Sequence, residues 1–222
     1  MPYRFRKYIK EKRASVWNFV KLGIPECCYT VPMTLLGMMA LLGGIVALAS
    51  HFFWIHGVWR GTMRLNMATW ILWSVFDMAA FITSIAAGAP APFMAAGFAL
   101  GAILLTLTLL FKGTWQWGRL ETVCTILAAC CFFVWYASGP LVALVSFLAA
   151  KYAAGGLPTL IEAYRNPEPR QSPVWWMGSF GAATNIFATG SWTLAQSLFP
   201  TTALVFSFTI GLLHTGRLRG RM

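Results

Sequence analysis

The stretch LNMATWILWSVFDMAAFITSIAAG, residues 65–88, is apolar almost throughout, and Asp77 is the only acid or base between Met67 and Gly88. A helix of this length is long enough to cross the roughly 30 Å hydrocarbon core of a bilayer. An ionised acid at mid-span costs about 2.5–3.5 kcal/mol on insertion scales, so it is expected to face a bundle interior or a wet cavity. Reading this stretch as a membrane span with a functional carboxylate organises the rest of the chain.

The composition agrees. The 222-residue chain is 58% hydrophobic and only 10% charged, with a mean hydropathy of +0.66. Soluble domains carry about a quarter charged residues, so the deficit is too large for a buried core to explain. The net charge of +11 does not point to nucleic acid, because of where it lies. Seven of the seventeen Lys/Arg precede residue 22 and three fall in the last six residues. Most of the others lie in short loops, the way basic residues flank membrane helices.

Apolar runs occupy roughly 31–54, 68–88, 91–111, 119–137, 139–162, 174–196 and 198–215, each near the 20 residues a crossing needs. Tryptophans gather at their ends, as at Trp54, Trp59, Trp115, Trp117, Trp175 and Trp176, where aromatic rings favour the headgroup level. At a shift of 105 residues Trp59 meets Tyr164, Arg60 meets Arg165, Asn66 meets Gln171, Trp70 meets Trp175 and Ser74 meets Ser179. The expected architecture is therefore an all-α integral membrane protein of seven transmembrane helices. It has two parallel three-helix repeats and one linker helix, a 3-1-3 plan with the site at the repeat interface. The expected boundaries are a basic amphipathic segment over 1–29, a first repeat over 30–112, a linker over 113–137, a second repeat over 138–216 and a basic tail over 217–222. The basic start places Phe5, Ile9, Val16 and Val20 on one rough face, which reads as an interfacial helix on anionic lipid or as a solvated tail. Loops bearing Arg60, Arg64, Lys112, Arg119, Arg165 and Arg170 share one side and are expected to be cytoplasmic. The seven N-terminal charges then fall on the opposite face, which the charge rule alone does not reconcile.

LPTLIEAYRNPEPRQSPVWWMGSF (157–180) places a proline near a helix end, then a polar loop, then the next helix. It resembles the second PQ-loop region of the PQ-loop and SWEET-like superfamily, and RLNMATWILWS (64–74) resembles the matching helix start in a first repeat. With RLETVCTILA and WYASGPLVALVSFLA the resemblance covers about residues 30–215. It is nearest to uncharacterised bacterial seven-helix members. The resemblance implies two triple-helix bundles joined by a linker helix, in a bacterial cytoplasmic membrane. Pro158 is followed by Thr159 where the motif has Gln, and no proline stands near Phe53 in the first half. A hinge at Pro158 would serve one bundle only.

On the helix of Asp77, the residues Trp70, Ser74, Asp77, Phe81 and Ser84 share one face by three–four spacing. The other repeat offers Trp175 and Ser179 at matching positions, with Asn185 beside them. Candidate solute-binding residues are Trp70, Ser74, Asp77, Ser179 and Asn185. Lys151 lies in another span at similar depth and is the expected partner of Asp77. That pair either handles solute or protons or only fixes packing. GFALG (97–101) reads as a small-residue packing motif. His51 and His56 read as interface polarity, and Glu121, Glu162 and Glu168 as solvated or paired with loop arginines.

The five cysteines lack zinc-like spacing, and no nucleophile elbow, phosphate loop or metal cluster is present, so neither an enzyme nor a cofactor or metal is expected. The favoured function is a transporter or facilitator of a small polar solute, such as a sugar or nucleoside. The alternative is a non-transporting accessory, receptor or scaffold subunit. The lipid bilayer and the solute are the expected partners, and the oligomeric state is left open.

Overall fold

The computed structural model describes residues 35–89, 92–189 and 192–215. The N-terminal basic segment and the tail over 217–222 lie outside those residues. Among the described residues the structure is helical: α1 Leu35–Trp59, α2 Met67–Ala86, α3 Phe93–Lys112, α4 Arg119–Ser138, α5 Pro140–Ala150, a π-helical stretch Lys151–Gly156, α6 Leu157–Arg165, α7 Ser172–Phe187 and α8 Leu194–His214. The α5, π and α6 segments run on as one 26-residue helix, and six helices in all are long and apolar enough to cross a membrane. This is the build of an integral membrane protein. The remaining apolar run, 174–196, forms α7 of 16 residues. Its rise of about 24 Å is less than a full hydrocarbon core.

The ends are set by local chemistry. Asn66 caps α2, its side chain accepting from the Ala68 N–H at 3.2 Å. Gly139, at φ +95°, both ends α4 and starts α5, with Pro140 in the first turn. A residue with a Cβ would be strained there, so the tight link between two antiparallel helices depends on this glycine.

The packing inverts the soluble pattern. The fully buried positions are mostly small, among them Ala47, Ala68, Ala80, Ala102, Ala143 and Ala182, each at 0% exposure. Large side chains face outward, such as Phe111 at 78%, Phe133 at 71% and Phe187 at 73%. Lipid solvates these as well as a core would, so helix association relies on close backbone approach. The motif at 97–101 works this way. A Cβ on Gly97 would sit 2.2 Å from the Gly44 carbonyl oxygen, and one on Gly101 would meet the His51 ring at 2.4 Å.

Helix α3 packs along both α1 and α2, and α8 packs along α7 and against α5 and α6. Across the middle, α1 lies on α7 and α2 lies on α5. Helix α4 packs on α5, the π stretch and α2. The core between these groups is an apolar cluster of Ala47, Ala80, Met94, Leu144, Phe199 and their neighbours.

Candidate functional site

Helix α2 brings Asp77 to the centre of the molecule, and the π stretch begins with Lys151. They form a salt bridge, and the two residues are 1% and 3% exposed. The lysine ammonium also lies over four rings: Trp73 at 4.8 Å, Phe199 at 5.4 Å, and Phe98 and Tyr152 at 5.5 Å each. Such contacts stabilise a desolvated cation by about 2 kcal/mol or more. One carboxylate and four rings thus take over much of the ammonium's hydration.

The π register has a sequence cause. The Leu157 N–H reaches back five residues to the Tyr152 carbonyl, and Pro158 then supplies no N–H of its own. The Thr159 hydroxyl covers the Gly155 carbonyl at 2.8 Å. Glycine at 155 and 156 lets two rings pack close to this backbone. A Cβ there would lie 3.1 Å from the Trp73 ring and 2.7 Å from the Phe206 ring. Pro158 and the glycines therefore shape the turn that presents Lys151.

A cavity of about 200 Å³ leads to Asp77 from the side of the arginine-bearing loops. Met63, Leu65 and Gln171 stand at its mouth, and Trp54, Trp70, Trp73 and Trp175 wall it. The indoles hold one another edge to face, Trp54 with Trp70 at 4.6 Å and Trp54 with Trp175 at 5.5 Å between centroids. The Trp175 indole nitrogen is buried and has no hydrogen-bond acceptor among the described residues. His51 is 4% exposed beside the cavity, its Nδ1 lying 3.0 Å from the Ala47 carbonyl. It is a buried residue, not an interface one, because Gly101 leaves room for its ring.

The far end of the same seam is closed. A Cβ on Gly43 would lie 1.9 Å from Asn185 Nδ2 and 2.6 Å from the Gly181 oxygen, so α1 and α7 touch through backbone. Asn185 donates to the Ala40 carbonyl at 3.2 Å. Beyond it lies a void of only about 30 Å³.

The five sequence-selected binding residues are therefore divided. Trp70 and Asp77 line the large cavity. Ser74 turns to α3, its hydroxyl 2.9 Å from Thr106 Oγ1. Ser179 donates to the Trp175 carbonyl within its own helix at 2.9 Å. Asn185 serves the closed end. His51, Trp54, Trp73, Phe98 and Ser207 are cavity residues that the spacing argument did not select. The 105-residue comparison had a signal for Trp175 only, as the match of Trp70.

Glu121 is not a solvated loop partner. It is 7% exposed, and its Oε1 accepts from Thr69 Oγ1 at 2.8 Å and Asn66 Nδ2 at 3.0 Å. Its Oε2 accepts from the Gly118 N–H at 2.9 Å. No family model, curated protein or solved structure matches the chain.

Proposed function

We propose that the chain is a transporter or facilitator of a small polar solute, working by alternating access between two triple-helix bundles in a bacterial cytoplasmic membrane. The observation that carries this reading is the one-sided cavity. It reaches a buried ion pair from the arginine-bearing face and is stopped by an apolar plug and a glycine crossing. A site that is open to one side and sealed from the other is what alternating access requires of each of its states.

The seven-span, 3-1-3 plan belongs to this proposal. It is supported by α3 packing against both α1 and α2, and by α8 packing against both its partners in the second half. The crosswise contacts of α1 with α7 and α2 with α5 fit a two-fold relation between halves. Ser74 and Ser179, paired at the 105-residue shift, each donate to the carbonyl four residues back at 2.9 Å. These features also suit the PQ-loop and SWEET-like resemblance.

A volume of about 200 Å³ holds a solute of one ring, since about 150 Å³ is enough for benzene. The indole faces suit a flat or ring-shaped solute, the free Trp175 N–H suits an acceptor on it, and the Asp77 carboxylate suits a hydroxyl. The test is a thermal-shift screen of purified protein against sugars, nucleosides, amino acids and vitamins. Ligand at about a hundred times its Kd adds roughly 2.7 kcal/mol of stability. A shift lost in Asp77→Asn, followed by flux of that compound into liposomes, is the expected result. Folded protein that responds to none of them would favour the accessory-subunit reading, which the apolar plug suits.

A further inference from the structure

A second cavity lies behind Trp73. It measures about 70 Å³ and runs between α2, α4 and the π–α6 segment. Lys151 stands at one end and Glu121 at the other, with the Thr69 and Thr159 hydroxyls and the Cys124 thiol between them. Trp73, Thr69 and Thr159 belong to both cavities and separate them, so the ion pair is reached at Asp77 from the first and at Lys151 from the second. The space has room for about four waters, and hydroxyl, carboxylate and ammonium groups are the partners such waters need. Glu121 sits in the first turn of α4, at the arginine-bearing end of the membrane helices.

We propose that this second cavity is a proton path from Glu121 to the Asp77–Lys151 pair, and that solute movement is thereby coupled to proton movement. The coupling rests on the transport reading above; the path itself does not. In the step, Lys151 passes one N–H proton to the Asp77 carboxylate and takes another from a hydronium in the cavity, which leaves as water. Glu121 relays that proton from bulk water. The product is a neutral Asp77 acid beside a Lys151 ammonium still held by its four rings. The clamp between α2 and the π stretch is then released while the cation stays solvated by aromatic faces. A separate route matters because a solute filling the first cavity would block proton access to Asp77 from that side.

Other titratable groups near the pair are the buried His51 on α1, beside the first cavity, and the partly buried Tyr152 in the π stretch, against the plug. Helices α3, α7 and α8 carry no carboxylate, and the Phe98 and Phe199 rings of α3 and α8 face the ammonium. Glu121 is thus the carboxylate that joins the pair to the arginine-bearing face.

The test needs no solute. Infrared difference spectra of the full chain in phosphatidylcholine liposomes report the carboxylic-acid C=O stretch, assigned to Asp77 by its loss in Asp77→Asn. After a jump from alkaline to acidic buffer, the band is expected to grow. Glu121→Gln, which can still accept from Thr69 and Asn66, is expected to slow its growth at least about ten-fold while leaving the final amplitude unchanged. A positioned proton-transfer group contributes a hundred-fold or more in favourable cases. Cys124→Met fills the cavity without altering charge and is expected to slow the band similarly. If both variants keep the rate within about two-fold of the parent, or if Asp77 never protonates, the proposal is overturned. Neither result would touch the transport reading, which stands or falls on solute flux.

Discussion

At Gly43 the backbones of α1 and α7 touch, whereas a few turns further along, the Trp54 and Trp175 rings stand between the same two helices. One seam is thus built in two ways. Where both helices present glycine, nothing holds them apart and the far end closes. Where both present indoles, the rings keep the backbones separated and leave a cavity lined by Trp70, Trp73 and Asp77. Small residues close a membrane interface and large ones prop it open, because lipid supplies no pressure to bury the large ones. The Asp77–Lys151 pair stands between the two regimes.

The largest expected effect tests that boundary. Lys151→Met leaves a buried carboxylate without its cation and should cost about 3–5 kcal/mol of stability. The Asp77→Asn/Lys151→Met double variant should recover much of that loss, read as the midpoint of thermal unfolding in detergent. Additive losses would mean that the pair is not coupled. The next effect breaks the closed half. Gly43→Ala puts a methyl group into Asn185 and the Gly181 carbonyl and should cost about 1–3 kcal/mol. Under the transport reading it should also raise thiol labelling of a cysteine placed at Ala40, on the sealed side. Unchanged stability and labelling would show that the crossing is not tight.

The open half has its own fastening. His214, 5% exposed, accepts the Glu168 N–H at 3.0 Å and anchors the loop that carries Gln171 to the cavity mouth. His214→Phe should cost about 1 kcal/mol and speed amide exchange in residues 166–171. No change in that exchange would show that the loop is held elsewhere. Smallest of all is Ser179→Ala. Its hydroxyl only returns to its own helix, so stability should move by less than about 0.5 kcal/mol. If the variant nevertheless abolishes a ligand-induced thermal shift, Ser179 leaves its helix bond in the bound state and belongs among the binding residues.

Much of the helical layout is legible from hydropathy alone. The runs at 68–88, 91–111 and 119–137 fall close to α2, α3 and α4, because long apolar runs have no other way to satisfy their backbone in a bilayer. The run at 174–196 overreaches. Helix α7 ends at Phe187, and the residues that follow carry hydroxyls but no charge, so averaged hydropathy passes over the turn. The continuous helix through Lys151 shows a similar gap. Gly155, Gly156 and Pro158 announce a disturbance, but its π register follows from which carbonyls lose a donor.

The two intramembrane charges stand out in the sequence, since each is costly in a span and needs a reason. That they meet, and that four rings gather around Lys151, depends on α2, α3, the π stretch and α8 arriving at one point. The three–four spacing puts Ser74 on the face of Asp77, yet its hydroxyl is taken up by the Trp70 carbonyl and by Thr106 on α3. Spacing assigns a face; only the neighbours decide what each residue on it does. By itself the sequence determined an all-helical chain of membrane-spanning length with an acid and a base where lipid tolerates neither. Tertiary structure alone decided which end of the seam is closed and which side of the ion pair each cavity reaches. Closure depends on glycine meeting glycine and indole meeting indole across helices far apart in the chain, and no local pattern records that.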